Sequence, residues 1–496
     1  MMKRVSEIIT IDKIKKWNDG DIITITASTG AGKSYFIKNN LYAFAKAKNK
    51  KILMLIHRRN CVNQFQKEIE KDNKTDVIDI TTYQSLEKTK LNNNKKIDFN
   101  EYEYIICDEF HYFMGDAGFN KTTDISLNMI LGQTDKIRIF MSATGDYVKK
   151  YINNIKEINT IDYELPINYD FIKSLTFFNK DESLEEFIKE AIEGKEKGIF
   201  FIQSTKKAYE LHKKFKKDTL FNCSKHNEEY YKYVNADKID KMLENERFEE
   251  QILITTTCLD AGVNIIDDKV KHIVIDVKDI GSLIQCMGRK RLQNQEDKIY
   301  LYIKSITNEQ LGGMKTQLKR KIEMADYLKE HTVKEFIEKY PRQNDYNNIV
   351  YADTVVEKDK STHKINELMH FKTSIDICEI EFMLQYKKYG YCKYLAKELG
   401  IENYRLIEEE YKKKTLEDYL EDNLGQVMLQ VKDRKELIEK VDVKSNGKLL
   451  KKINNLNGAL EERNINYRIV EFPTSKMINR KQKRYPNAWR IEKLVH

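Results

Sequence analysis

The chain has 496 residues, enough for two to four domains, and 41% of them are hydrophobic, yet no run of about 18 apolar residues exists to cross a membrane. Seven scattered cysteines without a Cys-x-x-Cys pair argue against a zinc site or disulfide framework and for a reducing cytoplasm. The net charge is +9 and sits at one end: residues 431–496 hold 17 basic and 8 acidic side chains, and the rest of the chain holds 70 of each. A basic terminal module points to a polyanionic partner, nucleic acid above all, with a solvated charged tail as the alternative. The opening "MMKRVSEIIT" has no apolar core of a secretion signal. The abundance of Lys, Asn, Ile and Tyr is the bias an AT-rich genome produces.

In chain order, short apolar runs at 22–26, 52–56, 77–80, 104–107 and 137–141 alternate with amphipathic segments such as "NCVNQFQKEIE" from Asn60. A second set follows at 198–202, 251–255, 272–277 and 298–303, separated by "KKAYELHKKF" and "SLIQCMGRKRL". Strands alternating with helices predict parallel α/β layers. "YELPINYDF" reads as the joint between them. The reading is an α/β domain at 1–165, a second at 166–305, a mainly helical accessory domain at 306–442 and a small basic module at 443–496.

The run "ITITASTGAGKSYFI" places a strand before Ala27-Ser28-Thr29-Gly30-Ala31-Gly32-Lys33-Ser34 and a helix after it, the layout of a phosphate-binding P-loop. Gly30 and Gly32 let backbone N–H groups turn inward, Lys33 supplies a point charge, and the following helix points its positive end at the same anions. Ser34 stands where Mg²⁺ is ligated, and Ala27 replaces the usual first glycine. "YEYIICDEFHYF" ends a second strand with Asp108-Glu109. There Asp108 would hold Mg²⁺ and Glu109 would orient or deprotonate the attacking water. Arg58 and Arg59 follow a strand and suit phosphates or a solvated loop; Trp17 suits adenine stacking or packing beneath the first strand.

These segments resemble the helicases of superfamily two, the group of DEAD-box and DEAH-box proteins. Besides the P-loop and "DEFH", the likeness is carried by "LIHRRNCVNQF", "TTYQSL", "SAT", "GIFFIQST", "ITTTCLDAGVNI" and "QCMGRKR", in family order over residues 15–305. The closer resemblance is to compact helicases of bacteriophages and mobile elements, which implies the cytoplasm of a bacterial host. It also implies two tandem RecA-like domains that clamp ATP and Mg²⁺ and move on nucleic acid, DNA favoured and RNA open. On that resemblance Asp260 and Gly262 join the ATP-binding set, and Thr257 with them links nucleotide to the second domain. Ser142, Ala143 and Thr144 couple hydrolysis to domain closure, with His111 a further coupling candidate. Arg58, Arg59, Thr81, Thr82, Ser204, Thr256 and Thr257 fall on the nucleic-acid face. Gln285, Arg289 and Arg291 complete the catalytic set.

The last of these segments departs from the family spacing Gln-x-x-Gly-Arg-x-x-Arg, because Leu292 stands where the second arginine belongs. On a continuous helix, two residues turn about 200° and three about 300°. Arg291 then cannot replace the missing side chain, and Arg289 is the expected γ-phosphate arginine, with Arg291 a local alternative.

From Lys448 an amphipathic helix (Leu449, Leu450, Ile453, Leu456, Leu460) precedes strand-like "YRIVEF", a basic stretch and "WRIEKL". This resembles the end of a winged-helix domain; a packed α/β cap is the alternative. Arg480, Lys481, Lys483 and Arg484 are its nucleic-acid candidates, and Tyr485 and Trp489 are interleaved aromatics.

Overall fold

In the computed structural model, residues 4–28, 30–57, 59–92, 97–115, 120, 122–165, 167–259, 263–294, 296–341, 349–353, 362–445 and 448–494 are described. Thr29, Arg58, Asp260 and Gly262 lie outside them, as does the side chain of Arg59.

The first layer is built from β1 (Ile22–Thr26), β2 (Ile52–Ile56), β3 (Ile78–Thr82), β4 (Tyr104–Asp108), β5 (Ile137–Ser142) and β6 (Ile161–Glu164), in the order β3-β2-β4-β5-β1-β6. Every pairing is parallel. Central strands covered on both faces need apolar residues at every position, and all five residues of β2 are buried. The edge strand β6, "IDYE", is mostly exposed, so no periodicity marks it in the sequence.

The second layer contains β7 (Ile172–Phe178), β8 (Lys197–Ile202), β9 (Thr219–Asn222), β10 (Ile252–Thr255), β11 (Val270–Asp276) and β12 (Ile299–Lys304). These run β7-β12-β11-β8-β10-β9, again all parallel. The two parallel sheets, one after the other along the chain, are the two α/β layers that the alternation of strands and helices predicts.

Helices Asn308–Glu330, Val333–Lys339, Glu367–Gln385 and Gly390–Glu398 follow. The third touches both layers. Its Leu368 is buried in the first layer's core, and Phe371 stacks edge-on against Tyr151 at 5.4 Å. Its Lys372 lies 4.0 Å from Asp279, which caps helix Ile280–Met287 in the second layer by accepting from Ser282 N–H at 2.7 Å.

Contacts divide the chain into 1–404 and 405–496. In the second unit, helices Ile407–Asp422, Lys435–Val441 and Ile453–Glu462 share one core with a sheet of Val427–Met428, Tyr467–Ile478 and Lys481–Lys493. The expected boundary after residue 442 falls inside that core: Leu416, Leu420, Leu437 and Val441 pack with Leu456, Leu460 and Trp489. Long charged helices hide such a boundary, because composition does not change across it. No helix among the described residues is long and apolar enough to cross a membrane.

Candidate nucleotide site and nucleic-acid cleft

The loop after β1 turns at Gly30 (φ 91°) and Gly32 (φ 87°), left-handed values that a side chain resists. The helix begins at Lys33 and passes through a π-helical turn over Phe36–Leu41. Lys33 is buried, and its ammonium donates to the carbonyls of Ala27 (2.8 Å) and Ser28 (3.3 Å). Burial lowers its affinity for a proton, and the nearby Glu109 and Asp108 partly restore it. Ser34 is exposed. The loop is fixed from behind by Val5 N–H, which donates to Ala31 at 3.0 Å. Trp17 packs in the first layer's core and donates to Tyr163 Oη at 3.2 Å, which leaves its ring to packing.

β4 delivers Asp108 to its end, and Glu109 then takes a left-handed conformation (φ 51°). That costs strain for a residue with a Cβ and turns the chain sharply. Burial, then the charge of Glu109, pushes the Asp108 carboxyl up to about 7. Burial also disfavours the Glu109 charge, but a hydrogen bond from His111 and the charge of Lys33 outweigh it and hold Glu109 below the usual range.

His111 stands between the layers. Its Nδ1 lies 2.8 Å from Ser142 Oγ and 3.3 Å from Glu109 Oε2, and its Nε2 accepts from the Gln285 amide at 2.6 Å. A neutral ring protonated on Nδ1 satisfies both sides. The same amide reaches Thr144 Oγ1 at 3.4 Å, and Ser142 Oγ accepts from Thr144 N–H at 3.1 Å. The structure thus brings together Glu109, His111, Ser142, Thr144 and Gln285. Gly145 follows directly: a Cβ there would stand 2.0 Å from the Phe110 ring.

The arginines differ from expectation in their backbone. Helix Ile280–Met287 gives way to a turn at Gly288 and Arg289, whose N–H donates to Cys286 O at 3.2 Å, and Lys290 then bridges to Ile265. Ile265 N–H donates to Arg289 O and Arg291 N–H to Ile265 O, both at 2.9 Å. The helix therefore does not continue from Arg289 to Arg291, so the helical rotation that set Arg291 aside does not apply. Arg289 is buried and donates to Gln285 O (3.3 Å) and Val263 O (3.4 Å). Arg291 donates to Asn264 Oδ1 at 2.8 Å through Nε, and its buried Nη1 has no hydrogen-bond partner among the described residues. That Nη1 lies 3.2 Å from where a Gly30 Cβ would be. Burial and the charge of Arg289 lower the Arg291 pKa to about 10. Lys290, facing the other way, is paired with buried Asp297.

A cleft of about 2150 Å³ is lined by both layers and by the helices after them, and takes in His57, His111, Thr144, Thr256, Thr257 and Gln285. Thr81 and Thr82 line a smaller adjoining hollow. Thr82 and Ser204 also serve as helix caps: Thr82 Oγ1 accepts from Ser85 N–H (3.1 Å) and Ser204 Oγ from Lys207 N–H (3.4 Å). In the second unit Arg480, Lys481, Lys483 and Arg484 are exposed, but Tyr485 and Trp489 are buried and cannot meet a base.

Residues 65–146 match the family described as type III restriction enzyme, res subunit, a segment that holds Asp108–His111 and Ser142–Thr144. No curated protein sequence matches the chain. Among solved structures the chain is similar to the DEAD-box helicase Mss116 bound to ssRNA and UDP-BeF (17% identity, 80% of this chain and 83% of that one, TM-score 0.47). It is similar to S. cerevisiae Dbp5 bound to RNA and ADP BeF3 (17%, 58% and 79%, TM-score 0.42) and to the Escherichia coli DEAH/RHA helicase HrpB (13%, 62% and 43%, TM-score 0.40). Parallel layers, motif order and family match are consistent with an ATP-hydrolysing helicase of superfamily two.

Proposed function

We propose that the chain is an ATP- and Mg²⁺-dependent helicase or translocase acting on DNA. The observation that carries this reading is the convergence of Lys33, Asp108 and Glu109 from the first layer with Gln285 and Arg291 from the second. The loop from Ala27 to Ser34 would hold the phosphates, and Ser34 and Asp108 would hold Mg²⁺, which supplies charge neutralisation when bound. The residues fit: two left-handed glycines form an anion cradle, and a buried guanidinium donor stands beside it without a partner. Water attacks the terminal phosphorus, the bond to the bridging oxygen breaks, and Glu109 receives the water's proton. Arg291, rather than Arg289, is the arginine that meets the developing charge. His111 transmits the state of Glu109 to Gln285, which ties hydrolysis to movement of the second layer.

The second unit supports DNA as the track. Its three helices, with a short strand after the first, a small hairpin between the second and third, and a final strand, turn and strand, support the winged-helix reading. A role in phage or mobile-element replication belongs to the same proposal and rests on the sequence resemblance alone. A second reading, the motor subunit of a restriction or defence assembly, is favoured by the description of the matching family. Strand displacement on matched DNA and RNA duplexes tests the proposal. ATP-dependent separation of the DNA duplex is expected; displacement of RNA alone would contradict it.

A further inference from the structure

Strands Tyr467–Ile478 and Lys481–Lys493 form a two-stranded antiparallel ribbon whose inner half packs on the second unit's core. The register shifts after Phe472, and beyond it Ser475–Arg484 is exposed on both faces. Directly opposed residues share a face. One face therefore carries the pairs Lys476/Lys483 and Ile478/Lys481, and the other Ser475/Arg484 and Met477/Gln482. Like charges set directly opposite destabilise a ribbon, yet from Phe472 to Ile491 there is no acidic residue to offset them. None of Lys476, Arg480, Lys481, Lys483 and Arg484 forms an ion pair among the described residues. The turn repeats the pattern. Asn479 (φ 50°) and Arg480 (φ 61°) are both left-handed, the geometry of a two-residue turn whose second position favours glycine. A charge is kept there against the conformational preference.

Lysines on an exposed edge also keep strands from pairing with other copies. That role needs neither a single sign of charge nor a strained arginine at the tip. Both features call for a polyanion. Two strands about 4.8 Å apart make a ribbon that the major groove of B-form DNA, about 12 Å wide, admits. A minor groove of about 6 Å does not, and the deep, narrow major groove of A-form RNA is closed to it.

We propose that the ribbon between Ser475 and Arg484 enters the major groove of B-form duplex DNA, with Lys476, Lys481 and Lys483 on phosphates. This rests on the reading of the chain as a nucleic-acid motor and deepens it by naming the duplex the motor holds. The test is fluorescence anisotropy of the full-length protein on blunt B-form DNA and A-form RNA duplexes of one sequence, across a salt series. Wild type should bind the DNA duplex at least tenfold tighter. Netropsin, which fills the minor groove, should leave that binding intact, and methyl green, a major-groove ligand, should displace the protein. Changing Lys476, Lys481 and Lys483 together to Gln should flatten the slope of log affinity against log salt by about 2.7, at about 0.9 per lost contact; changing them to Arg should restore it. Arg480→Gly relieves the left-handed strain and should melt no lower than wild type while binding the duplex more weakly. Equal binding of the two duplexes, netropsin competition, or an unchanged slope in the Gln variant would each overturn the groove assignment even if nucleic acid still stimulates ATP turnover. Loss of that stimulation in wild type would instead overturn the motor reading.

Discussion

Only Lys290 separates Arg289 from Arg291, and their roles depend on the backbone between them. Because the helix ends at Met287 and the chain pairs with Ile265 at Lys290, Arg291 reaches the loop at Gly30, and the charges of both arginines are felt at Lys33. Arg291→Ala should lower ATP turnover by about 10³-fold, as loss of an arginine finger does. Arg289→Ala, which removes a side chain bonded to backbone carbonyls, should lower it less; the reverse order in steady-state assays would return the role to Arg289. Asp108 gives a pH signature. Its folded-state pKa, near 7, lies above the ordinary carboxylate value, so between about pH 4 and 7 the folded protein holds a proton that the unfolded chain has released. Stability from this group is present at low pH and lost as pH rises through 7. In the absence of Mg²⁺ and nucleotide the melting temperature should fall over that range, and Asp108→Asn should flatten the fall. Gly145→Ala forces a Cβ into the Phe110 ring and should lower the melting temperature at every pH.

At the scale of elements, the P-loop and the acid pair were legible because their chemistry is local: a strand end, small residues, a charge. The partner of Arg291 was not. That pairing depends on a bridge between Ile265 and Lys290, 25 positions apart, which replaces the helix that spacing alone extends. The brace formed by helix Glu367–Gln385 was equally silent, since a salt bridge between a lysine and an acid 93 positions away leaves no periodic trace. Lys372 is bonded to Asp376 at 2.8 Å and lies close to Asp279 at the head of the helix that carries Gln285. Lys372→Ala should cost about 1.5–3 kcal/mol, the range for a hydrogen bond to a charged group. It should also weaken coupling of ATP turnover to nucleic acid. Denaturant unfolding and stimulated turnover, measured on one variant, check both.

At the scale of the whole molecule, the two α/β layers followed from the alternation of apolar and amphipathic runs, but the last boundary did not. A chain ended after residue 442 removes Leu456, Leu460 and Trp489 from beneath Leu416 and Leu437, and should melt early or aggregate. A chain ended after Leu406 keeps both parallel sheets and the first layer's cores whole and should retain basal ATP turnover. Thermal melts of the two truncations separate these outcomes. The central claim, a nucleotide site built on Lys33, Asp108 and Glu109, is tested most directly by phosphate release from full-length wild type and Glu109→Gln with Mg²⁺ and single-stranded DNA. Glu109→Gln should still bind ATP while turnover falls by about 10²–10³-fold. Near-normal turnover in Glu109→Gln would contradict the account.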